Sequence, residues 1–219
     1  AIVFARDHNS LFVAAAGNEG RDNDRTPSYP ANYEVANVLA VAASDRNDQL
    51  ASFSNFGQKT VDLAAPGVGI LSSTPGNRYQ SFDGTSMATP HVSGVAALVL
   101  AQYPELGYRG VMVRLMGSAD VNPVFENNTT SGGRLDAQGA LATDPQLAFV
   151  TRLDDTADTA GPYRVQAETT DDGAIVTADL VYKINGGSPT TIEMASVAEG
   201  VSRAEIPGQS LGSVVSYFV

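Results

Sequence analysis

The chain contains no cysteine, which rules out disulfides and any thiolate metal site while leaving the compartment open. It has only two histidines, His8 and His91, so histidine chemistry has few places to reside. Positive charge is scarce: thirteen Lys and Arg stand against twenty-four Asp and Glu, for a net charge of −11. Residues 1–150 carry 9 basic against 14 acidic groups, and residues 151–219 carry 4 against 10. The C-terminal part is therefore the more acidic per residue. That balance argues against nucleic acid or an anionic membrane as partner and for a solvated surface. No apolar run approaches the eighteen or so residues that a bilayer span needs, so no transmembrane helix is expected. An initiating Met and a charged-then-apolar leader are missing, and Val214–Val219 stops in mid-strand pattern. The expectation is a fragment at both ends.

What is present is enough apolar sequence, 43% of 219 residues, for one good-sized domain and a smaller one. Ala1, Phe4 and Ala5 recur as the tail of an amphipathic helix, with His8 near its polar end. Leu11–Ala16, Val38–Ala43 and Val61–Gly67 are short continuous apolar runs, the pattern of parallel strands buried on both faces. The first stops at Gly17-Asn18-Glu19-Gly20, a loop at a strand's carboxyl end, where open α/β sheets build their sites. A polar loop follows, and its Tyr29-Pro30 pair favours a cis bond. Ser52–Gly57 reads as a turn-rich loop. Ala88–Tyr103 is apolar almost all round and predicts a helix inside the core. Two shorter helices are expected near Tyr108–Met116 and Leu135–Ala142, with a turn at Gly132-Gly133. Strands alternating with helices imply an α/β domain with a parallel sheet.

After Asp144-Pro145 the texture changes. A linker over 146–161, rich in Asp, Thr and Ala from Thr151 to Gly161, leads to a region of period two. Tyr163, Val165 and Ala167 alternate with polar residues, and so do Val176, Ala178, Leu180, Tyr182 and Ile184 before the turn Asn185-Gly186-Gly187. Strands are expected at Thr191–Met194, Ser202–Ile206 and Val214–Val219 as well, giving a small, partial antiparallel β-sandwich over 162–219. Tyr163, Tyr182 and Tyr217 fall on the apolar phase and read as core residues.

The chemistry concentrates in Phe82-Asp83-Gly84-Thr85-Ser86-Met87-Ala88-Thr89-Pro90-His91-Val92. Ser86 stands where a helix begins, and orphan N–H groups with the positive end of the dipole favour a developing anion there. The plainer role for such a serine is an N-cap. Sixty-eight residues earlier, Asn18 ends a strand with a side-chain amide. An Asn amide and the backbone N–H of a serine nucleophile are what an acyl-transfer site needs around the oxyanion of its tetrahedral intermediate.

Together these patches closely resemble the subtilisin-like serine peptidase family. The matching runs are Val13–Gly20, Tyr29–Ala31, Phe53–Gly57, Ala65–Gly67 and Gly84–Val92, in the family's order, and the resemblance covers Ala1–Asp144. It implies a three-layer subtilisin-like parallel sheet, here partial, in a C-terminal part of the peptidase domain over 1–145. It implies Ser86 as nucleophile and Asn18 as oxyanion-hole donor. Ala14, Ala15, Ala16 and Gly17, with Ser28 opposite, would line the pocket for the side chain preceding the scissile bond. Phe82 would sit on the leaving-group side, and Met87 beside the nucleophile would be open to oxidation. Secreted or extracellular location and polypeptide substrates follow from the same resemblance. No cofactor is required for the chemistry. A structural calcium or sodium ion near Asp62, with carbonyls at Ala31, Tyr33 and Ala36, is the one cation site it suggests. The alternative for Asp62 is a surface or loop-capping carboxylate, and Asp22-Asn23-Asp24 reads as a solvated loop without EF-hand spacing.

The family's chain order is Asp, His, Ser, and its Asp and His motifs would lie upstream of Ala1. His91 lies five residues past Ser86 on the same helix, about 140° further round, and matches a structural histidine of the family. The missing partner is then the N-terminal half of the catalytic domain, without which no useful peptidase activity is expected. Two other readings differ in class. An α/β-hydrolase esterase is opposed by Ala88 in place of the last glycine of G-x-S-x-G and by the absence of a buried strand at Arg78–Ser81. A non-catalytic scaffold or binding protein derived from a subtilase is distinguished by whether the upstream Asp and His exist.

Overall fold

The computed structural model describes every residue except Asp144, Pro145, Arg152, Asp154, residues 171–176 and Glu199. The Asp144-Pro145 boundary and the Val176 end of the expected alternation therefore lie outside the described residues. Two compact units result, Ala1–Ala142 and Thr143–Val219.

In the first unit a short helix α1 (Ile2–Asp7) leads into three parallel strands, β1 (Phe12–Ala15), β2 (Val38–Ser44) and β3 (Leu63–Pro66). A hairpin of β4 (Ile70–Thr74) and β5 (Arg78–Phe82) precedes the long helix α2 (Thr85–Gln102). Then come α3 (Tyr108–Gly117), β6 (Asp120–Val121), β7 (Gly133–Arg134) and α4 (Ala137–Leu141). The sheet runs β1-β2-β3-β7-β6, with β7 parallel to β3 and β6 antiparallel to β7. The expected α/β class and parallel sheet are thus present.

Burial along β2 is complete, as its unbroken apolar run requires of a strand covered on both faces. One face packs Ala14, Val38 and Ala40 against Ile2 and Ala31, and Ala16, Ala42 and Ala64 against Phe125. Small residues in these strands let the covering segments approach closely. Helix α2 packs across β1, β2 and β3.

Three expectations need correction. First, α2 does not lie wholly in the core: Val92, Val95, Ala96 and Val99 are buried, while Leu98 and Leu100 are 54% and 42% exposed. Its all-round apolar sequence reflects two apolar faces, of which the described structure covers one. Second, β1 pairs with β2 alone and is only half-buried apart from Ala14, because it is an edge strand here. Third, Phe4 points outward and stacks on His8 at 4.0 Å between ring centroids, and Ile2 takes the core position.

The helix start also differs from the apolar pattern. It begins at Thr85, with Gly84 as N-cap. Pro90 sits inside the helix, so the carbonyl of Ser86, four residues earlier, has no N–H to receive.

The second unit is a sandwich of two antiparallel sheets. One is ordered β12 (Ala195–Ala198), β13 (Val201–Ile206), β9 (Tyr163–Thr170), β8 (Gln146–Ala148). The other is ordered β11 (Thr190–Glu193), β10 (Asp179–Ile184), β14 (Val215–Phe218). Val165, Ala167, Leu180, Tyr182, Met194, Ala204 and Ile206 form its core, with Tyr163 and Tyr217 packed against them. Gln146–Ala148, expected in the linker, instead pairs with Thr170–Glu168 of β9. Three residues were too few for period two to show.

Between β3 and α2, Gly67 marks a backbone approach that no side chain could share. Its N–H donates to Ser44 O at 2.9 Å and its carbonyl accepts from Gly84 N at 2.8 Å. A Cβ at Gly67 would meet Ala43 Cβ at 2.6 Å and Gly84 O at 2.8 Å. Gly67→Ala is expected to lower unfolding stability by about 1–3 kcal/mol, the usual cost of overpacking, as read from a denaturant midpoint.

Candidate active site

Strand β1 ends at Ala15, and Gly17 then turns the chain with φ +116°, a conformation that glycine adopts without strain. The turn presents Asn18 to the start of α2. Thr85 meets it with two donors: its N–H reaches Asn18 Oδ1 at 2.8 Å and its hydroxyl reaches the same oxygen at 2.9 Å. The hydroxyl in turn accepts from Gly17 N at 3.3 Å. Two donors on Oδ1 fix which end of the Asn18 amide is which, and leave Nδ2 free to donate elsewhere.

That free end shares a space with Ser86. A Cβ built on Gly84 would stand 3.6 Å from Ser86 N and 3.7 Å from Asn18 Nδ2, so the two N–H donors border one spot. Ser86 is exposed, the second residue of α2, where backbone N–H groups have no partner within the helix. The N-cap role falls to Gly84, so Ser86 is not a capping serine. Met87 is half-buried, with its sulfur 3.6 Å from the same built Cβ.

Neither histidine joins this cluster through its Nδ1. That of His91 is bonded to Met87 O at 2.9 Å, and that of His8 to Phe4 O at 2.8 Å, each on its own helix.

The expected pocket residues divide. Ala14 and Ala16 are buried in the sheet's core, so they contribute packing and backbone. The carbonyl of Ala16 accepts from Asn23 Nδ2 at 2.9 Å. Ala15 and Gly17 are half-buried on the loop side. Ser28 is half-buried, its N–H held by Asn32 Oδ1 at 2.9 Å just before a cis Tyr29-Pro30 bond. Phe82 closes β5 opposite Ile70 and is exposed.

A family profile described as the Subtilase family, peptidase S8, matches residues 1–141. The chain belongs to the subtilase family. Over 119 residues it is 47% identical to the "Thermostable alkaline protease" of Halalkalibacterium halodurans, covering 54% of this chain and 31% of that protein. Thermitase of Thermoactinomyces vulgaris is 50% identical over 102 residues, 47% of this chain and 34% of thermitase. "Subtilisin-like protease 2" of Plasmodium falciparum is 50% identical over 90 residues, 41% of this chain and 7% of that protein. The solved structure of the prenylagaramide maturation protease PagA matches with a TM-score of 0.54 at 34% identity, covering 64% of this chain and 52% of that one. This subtilase chain therefore spans no more than about half the length of these relatives.

Reading this subtilase by its motifs alone misses three polar residues that shape the loop. Thr85, Asn23 and Asn55 are all buried. Asn23 belongs to an acidic loop that reads as solvated, yet its side chain donates inward to Ala16 O. Asn55 was visible only as a letter inside Phe53–Gly57. An Asn close to two aromatic residues was the available signal.

Among the described residues, Asp62 is the one carboxyl with a strongly displaced proton affinity. Loss of water around it pushes it from 3.8 up to about 6, against the opposing effect of a 2.7 Å hydrogen bond from Ala40 N. Among the described residues no group of three acidic or histidine side chains gathers to hold a metal. A cation at Asp62 would thus depend on backbone carbonyls. The folded state binds this proton more tightly than the unfolded state does. Its stabilising effect is full below pH about 4 and is lost as pH rises through about 6. Asp62→Asn should flatten that decline, measured as Tm of the two proteins from pH 4 to 7.

Proposed function

We propose that this chain carries the nucleophile and oxyanion hole of a serine-type, subtilisin-like endopeptidase that hydrolyses polypeptides through an acyl-enzyme on Ser86. The observation that carries the reading is the pinned Asn18 amide, whose Nδ2 shares one spot with the Ser86 N–H. Ser86 Oγ would attack the scissile carbonyl carbon while its proton passes to an imidazole. The carbonyl oxygen, now anionic, would receive the N–H of Ser86 and Asn18 Nδ2. Collapse would expel the amine with that proton, and water would then release the acyl group by the same path in reverse. Ala15, Gly17 and Ser28 would flank the preceding side chain and Phe82 the leaving group.

That imidazole is neither His91, five residues past Ser86 on α2 and about 140° further round, nor His8, the C-cap of α1. The base and its orienting carboxylate would come from a partner, the N-terminal half of the catalytic domain. The one-sided β1 edge and the exposed Leu98 and Leu100 of α2 are surfaces such a half would cover. These 219 residues alone would be inactive. No cofactor takes part in the chemistry, and calcium or sodium at Asp62 would act structurally by holding its carboxylate ionised. The enzyme would be secreted and act on polypeptides outside the cell. Among the described residues no helix is long and apolar enough to cross a membrane.

The test is hydrolysis of a succinyl-peptide anilide by the chain alone and after assembly with the complementary half. The chain alone should show no turnover above its Ser86→Ala variant. The assembled pair should turn over, Ser86→Ala should remove this, and Asn18→Ala should lower kcat by about 10²–10³. Turnover by the isolated chain that Ser86→Ala abolishes refutes the inactive half. Assembly without turnover favours a non-catalytic scaffold.

A further inference from the structure

The loop that presents Asn18 takes its shape from a single buried carboxamide. Asn55 is 1% exposed and its side chain reaches residues on both sides of Asn18. Its Oδ1 accepts from Glu19 N at 3.0 Å and from Arg21 N at 3.1 Å. Its Nδ2 donates to Ala16 O at 3.2 Å, Glu19 Oε2 at 3.1 Å and Asn23 Oδ1 at 3.1 Å, two protons shared among three acceptors. Glu19 Oε2, held this way, accepts the backbone N–H of Asn18 itself at 3.1 Å. The Asn55 backbone N–H adds a bond to Gly17 O at 2.9 Å. Gly17 must lack a side chain because a Cβ there would collide with Asn55 Nδ2.

We infer that Asn55 is a positioning residue, whose carboxamide holds the Gly17–Arg21 turn so that Asn18 Nδ2 stays aimed at the spot it shares with Ser86 N–H. The consequence for catalysis rests on the reading of Asn18 as oxyanion donor; the positioning does not. Only a carboxamide meets the demand, because the site needs a double acceptor and a donor to three oxygens within one side chain. An apolar side chain leaves two half-buried N–H groups without acceptors, and a carboxylate sets negative charge against Glu19.

The experiment uses the 219-residue chain, labelled with 15N, and reads backbone hydrogen exchange together with the Asn18 side-chain amide resonances. Asn55→Ala should speed exchange at the Glu19 and Arg21 N–H groups by about tenfold or more and shift the Asn18 Nδ2 protons toward free asparagine. The N–H groups of β2 should keep their protection. Asn55→Asp keeps the shape and regains a donor when protonated. Its Asn18 resonances should approach those of the parent at low pH and depart from them as the introduced carboxyl ionises against Glu19. A role limited to packing would not produce that pH-dependent rescue. Unchanged Glu19 and Arg21 exchange in Asn55→Ala overturns the inference, as does an Asn55→Asp spectrum that ignores pH. Should Asn55→Ala fail to fold, Asn55→Asp alone decides. These signals need no turnover, so a failed peptidase assay leaves them intact.

Discussion

Two hydrogen bonds from Thr85, one from its N–H and one from its hydroxyl, converge on Asn18 Oδ1 and join the end of β1 to the start of α2. Each is worth about 1 kcal/mol net, but leaving the buried Thr85 donors without an acceptor costs more than forming the bonds gains. The rest of the site follows from that junction. The sheet fixes β1 through its register with β2, Phe12 opposite Val38 and Ala15 opposite Val41. The relay from Ser44 through Gly67 to Gly84 fixes the other side, using backbone alone. Ser86 is thus placed relative to Asn18 by two arms that start from β2. Alanines at the carboxyl ends of β1, β2 and β3, with Gly17 and Gly67 beyond them, let both arms come close enough.

Much of this was legible in the residues. Continuous apolar runs marked β1, β2 and β3, and period two marked β9 and β10, because strands built to be covered on two faces or on one differ in the spacing of their apolar residues. Ser86 and Asn18 stood out because one opens an apolar helical run and the other ends an apolar strand, inside runs that resemble a known family. Other features were hidden for physical reasons. The β4–β5 hairpin is exposed along much of its length, so Leu71 and Tyr79 carry no burial pattern. Strand β8 has three residues. Asn23 and Asn55 are polar residues in the interior, and composition places polar residues outside until their partners are known.

The helix α2 shows how one pattern can be misread. Apolar residues on every side suggested complete burial, yet Leu98 and Leu100 face outward. Amphipathicity reports the faces a helix is built to bury, and here it reports more than the described chain covers. The same holds for β1, whose apolar sequence is that of an interior strand although it has one neighbour. The two surpluses belong to elements that meet at the site.

Pro90 gives the first turn of α2, which carries Ser86, a character of its own. Since it offers no N–H to Ser86 O, the ladder of α2 is interrupted one turn from its start. Beside the backbone bonds from Met87 N and Ala88 N to Gly84 O, that first turn is secured by the two Thr85 donors on Asn18 Oδ1 and by the Thr89 hydroxyl on Thr85 O at 2.9 Å. The opening residues of α2 are therefore tied to the β1 loop as well as to the body of their own helix. Fraying at Gln102 should stop short of Ser86, and thermal motion of the serine should follow the loop that carries Asn18, so that the two drift together.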